Sequence, residues 1–155
     1  MKKSGFTLLE LLITLSVACI LILFSFSSLT QLKQKNEREL LINEITSAVS
    51  YAKMQARLSG RTLYFFAKNH NSNWSEGIDL LAQGGTQDNK LIHRWNWSGD
   101  NWKVEWHGLN GQRRIKFSGN THAMSNGQFV LTNLRTQEKI VLYLNKLGRV
   151  KQIEG

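Results

Sequence analysis

A chain of 155 residues with no proline, one cysteine and a formal charge of +9 has room for one modest domain with a single core, which excludes a multidomain enzyme. Outside the first thirty residues 18 Lys and Arg stand against 10 Asp and Glu. That surplus favours polyanionic partners such as nucleic acid or anionic head groups, and it equally suits a basic soluble surface. Cys19, the single cysteine, lies inside an apolar run, so neither an internal disulfide nor a cysteine-based metal site is available.

Lys2 and Lys3 precede Ser4 and Gly5, and an apolar run then extends from Phe6 to about Leu29, interrupted by Thr7, Glu10, Thr14 and several serines. The run spans roughly 24 residues where about 20 suffice to cross a bilayer as a helix. No small-residue cleavage site follows it, unlike an ordinary secretory signal. Glu10 is the anomaly, because a carboxylate at the centre of a membrane helix costs on the order of 2.5 to 3.5 kcal/mol. Such a charge is tolerable when paired and costly when alone, so Glu10 wants a partner. Lys33, Lys35 and Arg38 flank the far end of the run, and positive charge at both ends leaves the orientation open.

The stretch Lys2-Lys3-Ser4-Gly5-Phe6-Thr7-Leu8-Leu9-Glu10-Leu11-Leu12 resembles the type III leader of prepilins. The resemblance implies that a membrane prepilin peptidase cuts on the cytoplasmic side after Gly5 and that the new N-terminal Phe6 is N-methylated. It also implies that Glu10, by then the fifth residue, meets the terminal ammonium of a neighbouring subunit during filament assembly. The N-terminus is then cytoplasmic, the helix crosses the inner membrane once, and the head is periplasmic until the subunit enters a pilus or pseudopilus.

From Leu29 to about Ser59 the pattern becomes amphipathic: Leu41, Ile45, Ala48, Val49, Ala52 and Ala56 recur at intervals of three and four among charged residues. Ser59-Gly60 marks the stop. The reading predicts one continuous helix of about 53 residues, half for lipid and half for packing. Past Gly60, strands are predicted at Thr62 to Phe66, Ile78 to Leu81, Leu91 to Trp97, Trp102 to Trp106, Arg114 to Phe117, Gln128 to Thr132, Lys139 to Leu144 and Arg149 to Ile153. Turns are expected at Ser98 to Asn101 and Asn145 to Gly148, and loops at Asn69 to Asn73 and Gln83 to Asn89. The fold class is α+β, with an antiparallel head of two small sheets under a long N-terminal helix. The chain divides into a leader (1–5), a membrane and assembly helix (6–29), an amphipathic half-helix (30–59) and a β head (60–155).

The helix end Ala56-Arg57-Leu58-Ser59-Gly60-Arg61, the segment Trp74-Ser75-Glu76-Gly77-Ile78 and a Gly-Arg near the C-terminus resemble the GspH/FimT group of minor pilins and pseudopilins. This resemblance covers nearly the whole chain and implies the type IV pilin-like fold. One branch of the group serves type IV pili, with some members binding DNA in natural transformation; the other serves the tip of the type II secretion pseudopilus. The DNA-binding branch carries Gly-Arg-x-Arg, which here reads Gly148-Arg149-Val150-Lys151. The terminal lysine keeps a point charge for a phosphate but loses the bidentate fork of arginine.

Basic residues outside the helix gather at Arg113, Arg114 and Lys116, at Arg135 and Lys139, and at Lys146, Arg149 and Lys151. In one strand Arg149 and Lys151 point to the same face, and with Lys146 they make a positive edge for phosphates that reads no bases. Five tryptophans are read as core packing, Trp95 with Trp97 on one strand face and Trp102 with Trp106 on another; the alternative is that they stack on exposed bases of single-stranded DNA, interleaved with Arg94 and Lys103. His70, His93, His107 and His122 show no metal-ligand spacing, and no phosphate loop or nucleophile elbow is present. The expectation is a non-enzymatic, cofactor-free minor pilin of a type IV pilus. Its partners are other pilin subunits, the peptidase/methyltransferase, the inner membrane and DNA. A type II secretion pseudopilin is the alternative, and a purely structural pilus-priming subunit a third reading.

Overall fold

The computed structural model describes residues 7–68, 73–82, 90–98, 101–109, 111, 113–119 and 124–153, with backbone alone at 23–31. Helix α1 runs Leu8–Ser59, 52 residues, against the 53 predicted. It stops at Gly60, whose φ of 64° lies in the left-handed region that a residue with a Cβ enters at a cost. The chain forms two compact units, one up to Arg38 and one from Glu39 onward.

Among the described residues of the second unit eight strands follow: β1 (Leu63–Ala67), β2 (Ile78–Ala82), β3 (Lys90–Trp95), β4 (Trp102–Gly108), β5 (Arg114–Phe117), β6 (Gly127–Asn133), β7 (Lys139–Leu144) and β8 (Val150–Ile153). They make two four-stranded sheets, ordered β3-β2-β1-β5 and β4-β6-β7-β8, and every pairing is antiparallel. A short 3-10 turn, Trp74–Glu76, is capped by Asn73, whose side chain accepts from the Ser75 amide.

One apolar cluster joins the helix to both sheets. The six apolar helix positions named from periodicity, Leu41 through Ala56, are each at most 1% exposed, and four are alanine or valine, which lets the strands approach the helix closely. Alternation along β4 puts Trp102, Val104 and Trp106 inward, and the ring of Trp106 packs 4.7 Å from Phe129. Strand β2, which lies between β1 and β3, is buried at all five residues.

Two expectations are corrected. Strand β3 ends at Trp95, so Trp95 and Trp97 do not share a strand face. Trp97 donates its indole N–H to the Trp74 carbonyl at 2.7 Å, and the next residue, Ser98, bonds through its amide and hydroxyl to Glu44 of the helix. These contacts draw the chain out of the sheet. Strand β8 starts at Val150, not Arg149, because Asn145 captures the Arg149 amide. The expected loops at 69–73 and 83–89 and the turn at 98–101 lie largely outside the described residues.

Candidate functional site

The helix start and the end of β7 carry the residues of interest. Gly5 and Phe6, the expected cleavage and methylation positions, lie outside the described residues. Glu10 is placed three residues into the helix after Thr7. Its Oε2 accepts from the Thr7 amide at 3.1 Å and from the Thr7 hydroxyl at 3.2 Å, while the Glu10 amide donates to Thr7 Oγ1 at 3.3 Å. This is a capping box, which satisfies backbone donors that a helix start leaves unpaired. The Thr-x-x-Glu spacing signals it in the sequence, a second use of Glu10 that the leader resemblance had overshadowed. Leu8, Leu9, Leu11, Leu12, Ile13 and Leu15 are all more than half exposed, an apolar arc over about half of the helix circumference with Glu10 and Thr14 on the remaining side, and such a surface demands covering. Among the described residues no helix is long and apolar enough to cross a membrane; the run that carries that expectation, Phe6 to Leu29, lies partly outside them.

The predicted basic residues fall on the edges of both sheets. Arg113, Arg114 and Lys116 belong to the edge strand β5 of the first sheet and its approach, where the Arg114 guanidinium sits 4.9 Å from the centre of the Tyr64 ring. Lys146, Gly148, Arg149 and Lys151 belong to the β7–β8 loop and to β8, the edge of the second sheet. Arg94 and Lys103, weighed for base stacking, are engaged elsewhere: Arg94 with Asp79 and Lys103 with Glu105. Trp74, Trp97, Trp102 and Trp106 are buried and Trp95 packs against the core, so the tryptophans serve packing.

The β7–β8 loop is locally determined. Asn145 Oδ1 accepts from the amides of Leu147 at 2.9 Å and Arg149 at 3.0 Å, the turn geometry that Asn provides. Gly148 takes φ 67°, and a Cβ there would stand 3.0 Å from both Lys53 Cδ and Met124 Sδ. The left-handed backbone favours glycine here, and any Cβ would also press on the Lys53 and Met124 side chains.

That approach makes a cleft of about 620 Å³ lined by Lys53, Met54, Arg57, Leu58 and Ser50 of the helix and by Gly148, Arg149 and Val150. Lys53 Nζ donates to the Gly148 carbonyl at 3.4 Å, a long bond. Burial, then the charges of Arg57 and Arg149, push the Lys53 ammonium below the usual lysine range. Arg149 thus lines the cleft with the helix cations Lys53 and Arg57, while Lys146 and Lys151 are not among its described lining residues. Lys53 and Arg57 lie within the helix, apart from the basic residues of the head. The available signal was their i, i+4 spacing, a like-charge pair that destabilises an isolated helix. Among the described residues no group of His, Cys, Asp and Glu could hold a metal ion.

A long N-terminal helix whose second half packs on antiparallel sheets defines the type IV pilin fold. The family profile described as type II transport protein GspH matches residues 41–148, and the profile of the prokaryotic N-terminal methylation motif matches residues 1–26. The chain belongs to the GspH family, the GspH/FimT-like pilins. No curated protein sequence matches it. Among solved structures it is similar to the type IV minor pilin FimU of Pseudomonas aeruginosa strain PAO1. In one crystal form the identity is 14% and the TM-score 0.63 over 79% of this chain and 92% of that one. In a second form the identity is 15% and the TM-score 0.55 over 78% and 92%. The chain is thus a pilin-like protein of the GspH family that carries the N-terminal methylation motif.

Proposed function

We propose that the chain is a minor pilin of a type IV pilus whose basic head binds DNA without sequence preference during natural transformation. In this reading the leader is cut after Gly5, Phe6 is methylated, and the apolar helix holds the protein in the inner membrane with a cytoplasmic N-terminus and a periplasmic head. Glu10 leaves its capping box to meet a neighbouring subunit's ammonium as the filament forms. No catalytic step is assigned to it. The supporting observation is the β7–β8 corner, where Lys146, Arg149 and Lys151 are exposed and pair with no carboxylate among the described residues. Unpaired cations on a rim attract phosphates and impose a steep salt dependence, about 0.9 in log–log slope per duplex phosphate contact.

A second reading, a tip pseudopilin of type II secretion, is favoured by the description of the matching family. Deleting the gene and measuring transformation frequency and exoprotein secretion side by side separates the two. The first reading expects transformation to fall and secretion to hold; lost secretion with normal transformation establishes the second. The full chain in uncharged detergent micelles should retard duplex DNA at low salt, and no retardation removes the DNA role.

A further inference from the structure

We propose that Lys53 and Arg57 of α1, together with Arg149 of the β7–β8 loop, form one seat for a phosphate group, so that a nucleic-acid backbone is gripped between helix and loop. The inference rests on the DNA reading above and assigns to it two helix residues and a cleft, in place of the outer rim of Lys146 and Lys151.

Among the described residues three cations line the cleft and none of its lining residues is acidic. Lys53 and Arg57 stand one helical turn apart, where like charges repel, and Arg149 is brought to them by a loop that Asn145 and Gly148 hold in one shape. A folded arrangement that concentrates unneutralised positive charge becomes favourable once an anion sits among the three. The long bond to the Gly148 carbonyl uses one of the three protons on Lys53, which leaves two to donate. Arg57 and Arg149 are both exposed residues of the cleft lining and carry the donor fork that matches phosphate oxygens.

The remaining wall points to a phosphodiester. Met54 is 50% and Leu58 75% exposed, and Val150 is partly buried beside them. Apolar side chains beside a charged seat lower the local dielectric and strengthen ion pairing. They also offer contact area to a ligand that carries sugar and base next to its phosphate. A cleft of this volume lies within the usual range of ligand sites and holds a phosphate with part of its nucleotide. A strand with unstacked bases uses the apolar wall; a duplex, with its bases enclosed, uses the cations alone.

The test measures binding of a short fluorescent oligothymidylate, the matching duplex and a polyglutamate peptide to the full chain in uncharged detergent micelles. Lys53→Gln with Arg57→Gln should weaken oligothymidylate binding about tenfold or more at low salt. It should also lower the salt slope by about 0.7 for each cation that contacts a phosphate of the single strand. Arg149→Gln, which leaves the helix untouched, should act in the same direction. The charge-matched pair Lys68→Gln with Lys90→Gln, outside the cleft, should cost no more than about twofold. If Lys146→Gln with Lys151→Gln costs as much as the cleft pair, the strand lies on the rim: the inference falls while the DNA reading stands. If the unaltered protein binds neither nucleic acid, both fall. Polyglutamate that binds as tightly as the oligonucleotide shows a seat for acidic peptide, which overturns the inference.

Discussion

Asp79 on β2 and Arg94 on β3 are direct cross-strand partners, and their side chains meet as a fork, Nε to Oδ1 at 2.6 Å and Nη2 to Oδ2 at 2.7 Å. Asp79 is 4% exposed inside a strand that is buried throughout, whereas the Arg94 side chain is nearly half exposed. The aspartate depends on the arginine, because a buried carboxylate without a partner is strongly unfavourable. The carboxylate in turn holds the Arg94 guanidinium above its usual range, chiefly through the hydrogen bond.

Arg94→Met should therefore destabilise the head well beyond an ordinary surface substitution, lowering the unfolding midpoint by roughly 5 °C or more. Adding Asp79→Asn should restore part of the loss, since the stranded charge is gone. Thermal unfolding followed by tryptophan fluorescence reads both. A surface-like effect of Arg94→Met would show that the fork contributes little.

Glu105 and Lys103 lie two apart on β4 with Nζ 2.8 Å from Oε1, and the hydrogen bond from Lys103 holds the Glu105 carboxyl below the usual carboxylate range. A depressed folded pKa contributes stability that is fully present above the ordinary carboxylate pKa and is lost as pH falls through the lowered value. Lys103→Met should raise the Glu105 pKa toward normal in a carbon-detected NMR titration. The difference in stability between the two proteins should then vanish below both values. Because the pair is exposed, the effect at neutral pH is small.

Trp97 and Trp102 are both buried, yet only Trp97 has an indole partner, the Trp74 carbonyl; the Trp102 N–H has none among the described residues. Trp97→Phe should cost about 1–3 kcal/mol for the orphaned carbonyl, in addition to lost packing. Trp102→Phe should cost packing alone. Denaturant midpoints compared between the two variants give the difference, and equal losses would refute it.

Gly148→Ala forces a residue with a Cβ into the left-handed region against Lys53 and Met124. Strain should lower stability by about 1–2 kcal/mol, with the β7–β8 loop moving off the helix. Hydrogen exchange at the Arg149 amide, which Asn145 protects, should accelerate.

Much of this protein was legible in one dimension. The helix face Leu41, Ile45, Ala48, Val49, Ala52 and Ala56 was named residue by residue, since a helix buries a fixed spacing whatever it packs against. Strands β5 and β7 matched to the residue. Periodicity could not say that Trp97 leaves its strand, because the bond that takes it to the Trp74 carbonyl spans 23 positions.

The chain's own residues determined the family, the long helix and the alternation of an antiparallel head, all set by local spacing and by the leader around Gly5, Phe6 and Glu10. Only the tertiary structure decided which cations share a site. Lys53 and Gly148 lie 95 positions apart, and what brings Arg149 to the helix is a loop shape that depends on one asparagine, one left-handed glycine and the packing of β7 and β8 beneath them. Charge repels at short range in space, not in sequence, so a basic cleft becomes visible only when the fold has closed.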